Sequence, residues 1–143
     1  MAEYINVEKP FLDKLRQIGW VVYDNGAGGI PEDPTESFRT SFKEVILKEK
    51  FEAAIKKLNP WITNEQLKYC YDKIAEQGHK DLFTANKDIS NLLLKGITPP
   101  GINEQTGIDN PTVHLIAFGD EYKSNSFIVI NQFRVDTPNR AKK

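Results

Sequence analysis

A chain of 143 residues with a formal net charge of −1 has the length of one domain and no global attraction for nucleic acid or an acidic membrane. Its 39% hydrophobic and 27% charged residues are those of a folded soluble protein, and no apolar run approaches the roughly 18 residues of a membrane span. One cysteine, Cys70, excludes an intrachain disulfide, and Met1-Ala2-Glu3-Tyr4 does not begin a signal peptide, so the expected location is the cytoplasm.

Asn6 and Pro10 predict the start of a first helix, with Val7, Phe11, Leu15 and Ile18 as its apolar face and Gly19 as its end. Trp20, Val21, Val22 and Tyr23 read as a short buried strand or extended connector. Residues 24–35 form a loop. Its glycines, Gly26, Gly28 and Gly29, are followed by Ile30 and Pro31 and not by the Lys-Ser/Thr that a phosphate loop needs.

Residues 37–59 read as helix, broken in the middle, with Phe42, Val45 and Ile46 on one stripe and Phe51, Ala54, Ile55 and Leu58 on another. Asn59-Pro60 closes it, because a residue before proline avoids the helical region. Thr63-Asn64-Glu65-Gln66 is a capping box for a third helix with Leu67, Cys70, Tyr71 and Ile74 inward and Gly78 as its stop. Asp81 caps a fourth, with Leu82, Ala85, Ile89, Leu92 and Leu93 inward and Gly96 as terminator. An extended Pro/Gly/Asn-rich connector follows over residues 97–111.

The firmest strand signals come last. Val113, Leu115 and Ala117 alternate with His114, Ile116 and Phe118, and residues 127–135 are rich in β-branched and aromatic side chains. With the polar loop around Gly119 and Asn125 between them, they predict an antiparallel hairpin. A hairpin alone is marginal in water, and its open edge would be a pairing surface for self-association or for a partner. The order of elements predicts an α+β or α/β domain, heavy on helix.

Spacing alone assembles no active site. His79 and His114 are far apart, no Cys/His cluster has zinc-ligand spacing, and Cys70 sits in an apolar stripe as a buried inert thiol. His79 is expected at the surface. Trp20, Trp61, Phe127 and Phe133 read as core aromatics before base-stacking ones, and Lys43, Lys48, Lys50, Lys56 and Lys57 interleave with Glu44, Glu49 and Glu52 as a solvated helix face.

Several segments taken together resemble the N-terminal region of the restriction (motor-nuclease) subunit of type I restriction–modification enzymes. They are Val7-Glu8-Lys9-Pro10-Phe11-Leu12 with Leu15 and Gly19-Trp20; Ser41-Phe42-Lys43-Glu44-Val45-Ile46-Leu47; Leu58-Asn59-Pro60-Trp61; and Asn86 with Leu92-Leu93-Leu94-Lys95-Gly96. The most telling is Phe127-Ile128-Val129-Ile130-Asn131-Gln132-Phe133-Arg134-Val135. The resemblance covers nearly the whole chain through order and spacing, with no single diagnostic motif.

The resemblance implies a restriction-endonuclease-like PD-(D/E)xK nuclease fold of α/β type, of which residues 1–143 would be the N-terminal helices and first hairpin, as a single truncated domain. It also implies Mg²⁺ and ATP as cofactors, ATP binding outside this stretch, double-stranded DNA as substrate, and methyltransferase and specificity subunits as partners. In such nucleases carboxylates hold Mg²⁺ and a lysine assists at the phosphate. The family's Asp and Glu-x-Lys would follow the stretch matching Asn131-Gln132-Phe133. Here Asp136-Thr137-Pro138 has its residues in the wrong order, and Lys142 and Lys143 lack the upstream Glu-x, so no catalytic residue is expected within this chain and the piece alone is expected not to cut.

Glu8 matches an acidic residue that such nucleases carry on the first helix facing the metal, while an acid at a helix's positive end is the bland alternative. Gln132 and Arg134 are candidates for touching DNA phosphate, against plain solvent-facing strand positions. Beside the nuclease reading stand a non-catalytic interaction module using the open sheet edge and, disfavoured by the charge balance, a stand-alone DNA-binding domain.

Overall fold

A computed structural model describes residues 2–137, apart from the His79 side chain. The expectations placed on Pro138, Lys142, Lys143 and the His79 side chain lie outside what is described. The architecture is helix-rich α+β with one two-stranded parallel sheet. The elements are α1 (Lys9–Gln17), β1 (Val21–Tyr23), α2 (Lys48–Leu58), α3 (Asn64–Ala75), α4 (Leu82–Lys95) and β2 (Ile128–Ile130). Among the described residues no helix is long and apolar enough to cross a membrane. The chain forms two compact units, one from residues up to 47 together with those from 127 onward, the other from residues 48–126.

In the first unit, the chain is helical from residue 2, and a π-helical turn at Tyr4–Glu8 leads into α1, with Lys9 N–H reaching back to the Tyr4 carbonyl. Asn6 therefore lies inside the helical stretch and caps nothing. The expected apolar face is also corrected. Val7, Phe11 and Ile18 are exposed, while Leu12 is buried and Glu8 and Leu15 are half-buried. Positions 8, 12 and 15 stand at i, i+4 and i+7. Leu15 belongs to the expected face, but earlier in the helical stretch the inward positions are 8 and 12, one residue on from 7 and 11, and this turns Glu8 toward the rest of its unit.

β1 and β2 pair in parallel, with Val21 opposite Ile128, Val22 opposite Val129 and Tyr23 opposite Ile130. Both are continuous apolar triplets, the pattern of parallel strands, and a parallel pair needs a long crossover, here residues 24–127. The Trp20 and Phe127 rings pack at 5.3 Å just before the ladder.

The helix expected over 37–59 begins only at Lys48. Phe38, with φ of 60°, ends a 3₁₀ turn at Pro34–Ser37, and Arg39 is buried, donating to Ser37 Oγ and to the Glu44 carbonyl at 2.8 Å each. The buried guanidinium thus ties residues 37 and 44 together across a stretch that is not helical, and the α-helix starts only after it.

The second unit follows its sequence signals more closely. Thr63 and Gln66 form the reciprocal capping box of α3, Asp81 accepts from Thr84 N–H at the start of α4, and Gly96, with φ of 82°, ends α4. Ala85 points inward on α4, but Leu82 and Leu93 are exposed, contrary to expectation. Ile55, Leu67, Cys70, Ile97 and Val113 form the core, flanked by Phe51, Trp61, Tyr69 and Leu92.

The predicted antiparallel hairpin does not form, and with it goes the sheet edge proposed for self-association. Residues 113–118 contain no strand beyond a bridge in which Val113 and Ile97 exchange N–H···O bonds of 2.9 and 2.7 Å. The backbone groups of His114 and Ala117 are bonded by asparagine side chains. Asn59 accepts from His114 N–H at 3.0 Å and donates to the His114 carbonyl at 2.8 Å; Asn125 does the same for Ala117, at 2.8 Å both ways. A primary amide presents the same donor–acceptor pair as a neighbouring strand. The apolar alternation is real, but two amides stand where a strand was expected.

Candidate functional site

The carboxyl ends of β1 and β2 lie side by side, the position at which parallel sheets bind ligands. Asp24 and Asn25 follow β1; Asn131 and Gln132 follow β2. Asn25 clamps Asn131 twice: its N–H donates to Asn131 Oδ1 at 2.6 Å and its Nδ2 to the Asn131 carbonyl at 2.9 Å. The third contribution is Glu8, brought from the helical N-terminal stretch by the displaced inward stripe.

Three amide N–H contacts converge on Glu8. Gln132 Nε2 is 3.2 Å from both carboxylate oxygens, and Asn131 Nδ2 donates to Oε2 at 3.3 Å. Asn131 Nδ2 also donates to Asp24 Oδ1 at 3.1 Å. Tyr4 Oη donates to Asp24 Oδ2 at 2.6 Å and Gly26 N–H to Oδ1 at 2.9 Å. The tyrosine hydrogen bond, then that of Gly26, holds the Asp24 carboxyl below the usual carboxylate range, and the same bond raises the Tyr4 phenol. Gln132 reaches Glu8 from a left-handed backbone, φ 52°, which a non-glycine residue adopts only when its surroundings impose it.

Among the described residues neither Glu8 nor Asp24 takes part in an ion pair. Two carboxylates are thus drawn to one amide; the donors that bond them are neutral, and the Arg16 charge acts on Asp24 through space. Such oxygens suit a hard cation such as Mg²⁺, which is often held by one or two carboxylates with other oxygens completing the shell. They fit in kind but fall short in number: the described residues hold no group of three or more His, Cys, Asp or Glu placed for a metal.

Arg134 is placed elsewhere in the same unit. Its Nε and Nη2 donate to the Asp136 carboxylate at 2.8 and 3.1 Å, its Nη1 to the Pro31 carbonyl at 2.8 Å, and its guanidinium lies 4.3 Å from the Phe42 ring. This bond holds the Asp136 carboxyl below its ordinary range. Arg39 stacks on Phe133 at 3.8 Å, so Phe133 and Arg134 build an arginine–aromatic cluster while Gln132 faces Glu8. The structure therefore brings Glu8 and Gln132 together and separates Arg134 from them. Cys70 is fully buried, its thiol pushed up to about 11 by burial, and is inert as expected. His114 is exposed.

Sequence reasoning missed Tyr4, Asp24, Asn25 and Asn131 as members of the cluster. An acid directly after a parallel-type apolar triplet, in Tyr23-Asp24-Asn25-Gly26, was the available signal.

Compared with known proteins, the model of the type I restriction enzyme R protein N terminus matches residues 2–143. The chain belongs to this family. It is 30% identical over 130 residues to a putative type I restriction enzyme MjaIXP endonuclease subunit of Methanocaldococcus jannaschii, covering 91% of this chain and 12% of that protein. The chain thus spans about an eighth of the R-family relative that it matches. No solved structure matches it.

Proposed function

We propose that this chain is the opening part of the nuclease domain of a type I restriction R subunit, with a PD-(D/E)xK fold completed by residues beyond it. The observation that carries this reading is the Glu8 carboxylate, turned to the carboxyl ends of two parallel strands, beside Asp24 and held by neutral amides alone. In the full-length subunit Glu8, with Asp24 beside it, would help hold Mg²⁺, and further ligands would come from elsewhere in the subunit and from DNA phosphate. Bound there, the ion would polarise the phosphodiester and activate water. Gln132 keeps the Glu8 carboxylate oriented, and the Arg39–Phe133–Arg134 cluster anchors the segment that follows β2.

The substrate would be unmethylated double-stranded DNA, moved by ATP hydrolysis in a part of the subunit outside this chain. Methyltransferase and specificity subunits would complete the complex in the cytoplasm. Within this chain the acidic set is incomplete, so the piece by itself is not expected to cut DNA. The test is Glu8→Ala in the full-length subunit of the assembled complex. Cleavage is lost while ATP-driven translocation continues; unchanged cleavage by that variant removes the metal role of Glu8 and leaves the helix-end role.

A further inference from the structure

We infer that the second unit carries a binding site for a small neutral molecule with an N–H donor on a flat body, a primary carboxamide or an amino-heterocycle, in the hollow that Gln77 lines between α3 and α4. The hollow, of about 350 Å³, forms where α3 passes into a 3₁₀ turn at Glu76–His79 and where Gly96 ends α4. That volume lies at the small end of the range for ligand sites. Its lining comes from residues 69–98, all within one unit, so the inference is independent of the reading of Glu8.

Gln77 is 3% exposed, and its amide is satisfied on one side only. Nε2 donates to the Lys73 carbonyl at 3.0 Å, in the last turn of α3, where the helical ladder runs out. Among the described residues Oε1 accepts no hydrogen bond, and it is the one buried side-chain polar atom there without a partner. Capping explains the nitrogen and not the oxygen: a lysine or arginine would serve the same carbonyl and bury no acceptor. A buried acceptor left without a bond is costly, and an N–H from a ligand in the hollow removes that cost.

The rest of the lining sets the character of the ligand. Buried Ile97 and half-buried Leu92 and Tyr69 offer apolar surface to a flat body. The four charged residues of the lining are already paired, Lys73 with Glu76 at 3.3 Å and Lys80 with Asp88 at 2.6 Å. Two cations and two anions leave no net charge for an ionic ligand to answer. What complements the hollow is a neutral donor.

The experiment is ligand-observed saturation-transfer NMR on the full-length subunit with two probe pairs, benzamide against methyl benzoate and aminopyrazine against pyrazine. The members of each pair share a flat body, and only the first carries an N–H donor. Wild type is compared with Gln77→Met, which removes the acceptor and keeps the length, and with Thr98→Trp, which fills the hollow from its rim. Thr98 is exposed, so the second variant decides alone where the first does not fold. The expected result is saturable binding of a donor-bearing probe about tenfold tighter than that of its partner, the share of one hydrogen bond to Oε1. Gln77→Met binds both members of that pair alike, and Thr98→Trp binds neither. The pair that discriminates tells a carboxamide ligand from an amino-heterocycle. Equal affinity within both pairs overturns the inference, as does the lack of saturable binding by any probe. Discrimination that survives Gln77→Met, or binding that survives Thr98→Trp, places the probes elsewhere and overturns it too.

Discussion

Gln132 Nε2 lies 3.2 Å from each oxygen of Glu8, so a residue of the first helical stretch and one just past the last strand, 124 positions apart, share a single carboxylate. The contact depends on two local departures from regular structure. The π-helical turn at Tyr4–Glu8 leads into α1 with Glu8 on the inward stripe, and the left-handed backbone at Gln132 turns its side chain back past the end of β2. π-turns and strained backbone gather at functional sites, and here both converge on one acid.

The Tyr4–Asp24 bond makes the cluster sensitive to pH at both ends. The Asp24 carboxyl is lowered, so its contribution is present above the ordinary carboxylate value of about 4 and is lost as pH falls through its folded value. The Tyr4 phenol is raised, so its contribution is present below about 10 and is lost as pH rises through its folded value. Tyr4→Phe should return Asp24 toward the ordinary range. Carboxyl-detected NMR titration measures this directly, and an unmoved Asp24 would mean that Gly26 and Asn131 alone depress it.

Asn59 is buried and stands where a strand would, bonding both the N–H and the carbonyl of His114 and also the Ile55 carbonyl at 2.9 Å. Asn59→Ala should destabilise the protein by roughly 1–3 kcal/mol, because the partners it leaves lose their bonds. Asn59→Asp should cost more, since a carboxylate would face two carbonyl oxygens. Urea unfolding ranks the two, and an aspartate variant as stable as wild type would contradict the assigned amide geometry.

Gly96 ends α4 at φ 82°, and a β-carbon there would stand 2.5 Å from the Val113 carbonyl oxygen. Gly96→Ala should therefore cost about 1–3 kcal/mol from backbone strain alone, with the clash added. Val113 exchanges backbone bonds with Ile97, so the damage reaches the core of its unit, and the melting temperature reads it. A variant melting with the wild type would show that the close approach relaxes without cost.

What was legible in the sequence was what local chemistry dictates. The Thr63–Gln66 box, the Asp81 cap, the Gly96 stop and the proline after Asn59 each act within a few residues, and each stands where it was read. The partner of residues 128–130 was not legible, because a parallel strand about 100 positions away leaves no turn signal, whereas the nearby alternation at 113–118 imitates one. Helix phase failed for a similar reason. Val7, Phe11 and Ile18 are more apolar than Glu8, yet the stripe that turns inward is the one that buries Leu12 and brings Glu8 to Asn131 and Gln132. The resemblance gave Glu8 and Gln132 separate roles; the fold joins them, and it ties Arg134 to Asp136.

The most direct test of the central claim is to let the metal report its own position. Fe²⁺ substituted for Mg²⁺ in the full-length subunit, with ascorbate and peroxide, generates hydroxyl radicals that cut the backbone beside the ion. The account predicts cuts near Glu8, Asp24 and Asn131, suppressed by excess Mg²⁺ and absent in Glu8→Ala. Metal-dependent cuts that fall elsewhere, with none at these three positions, would contradict it.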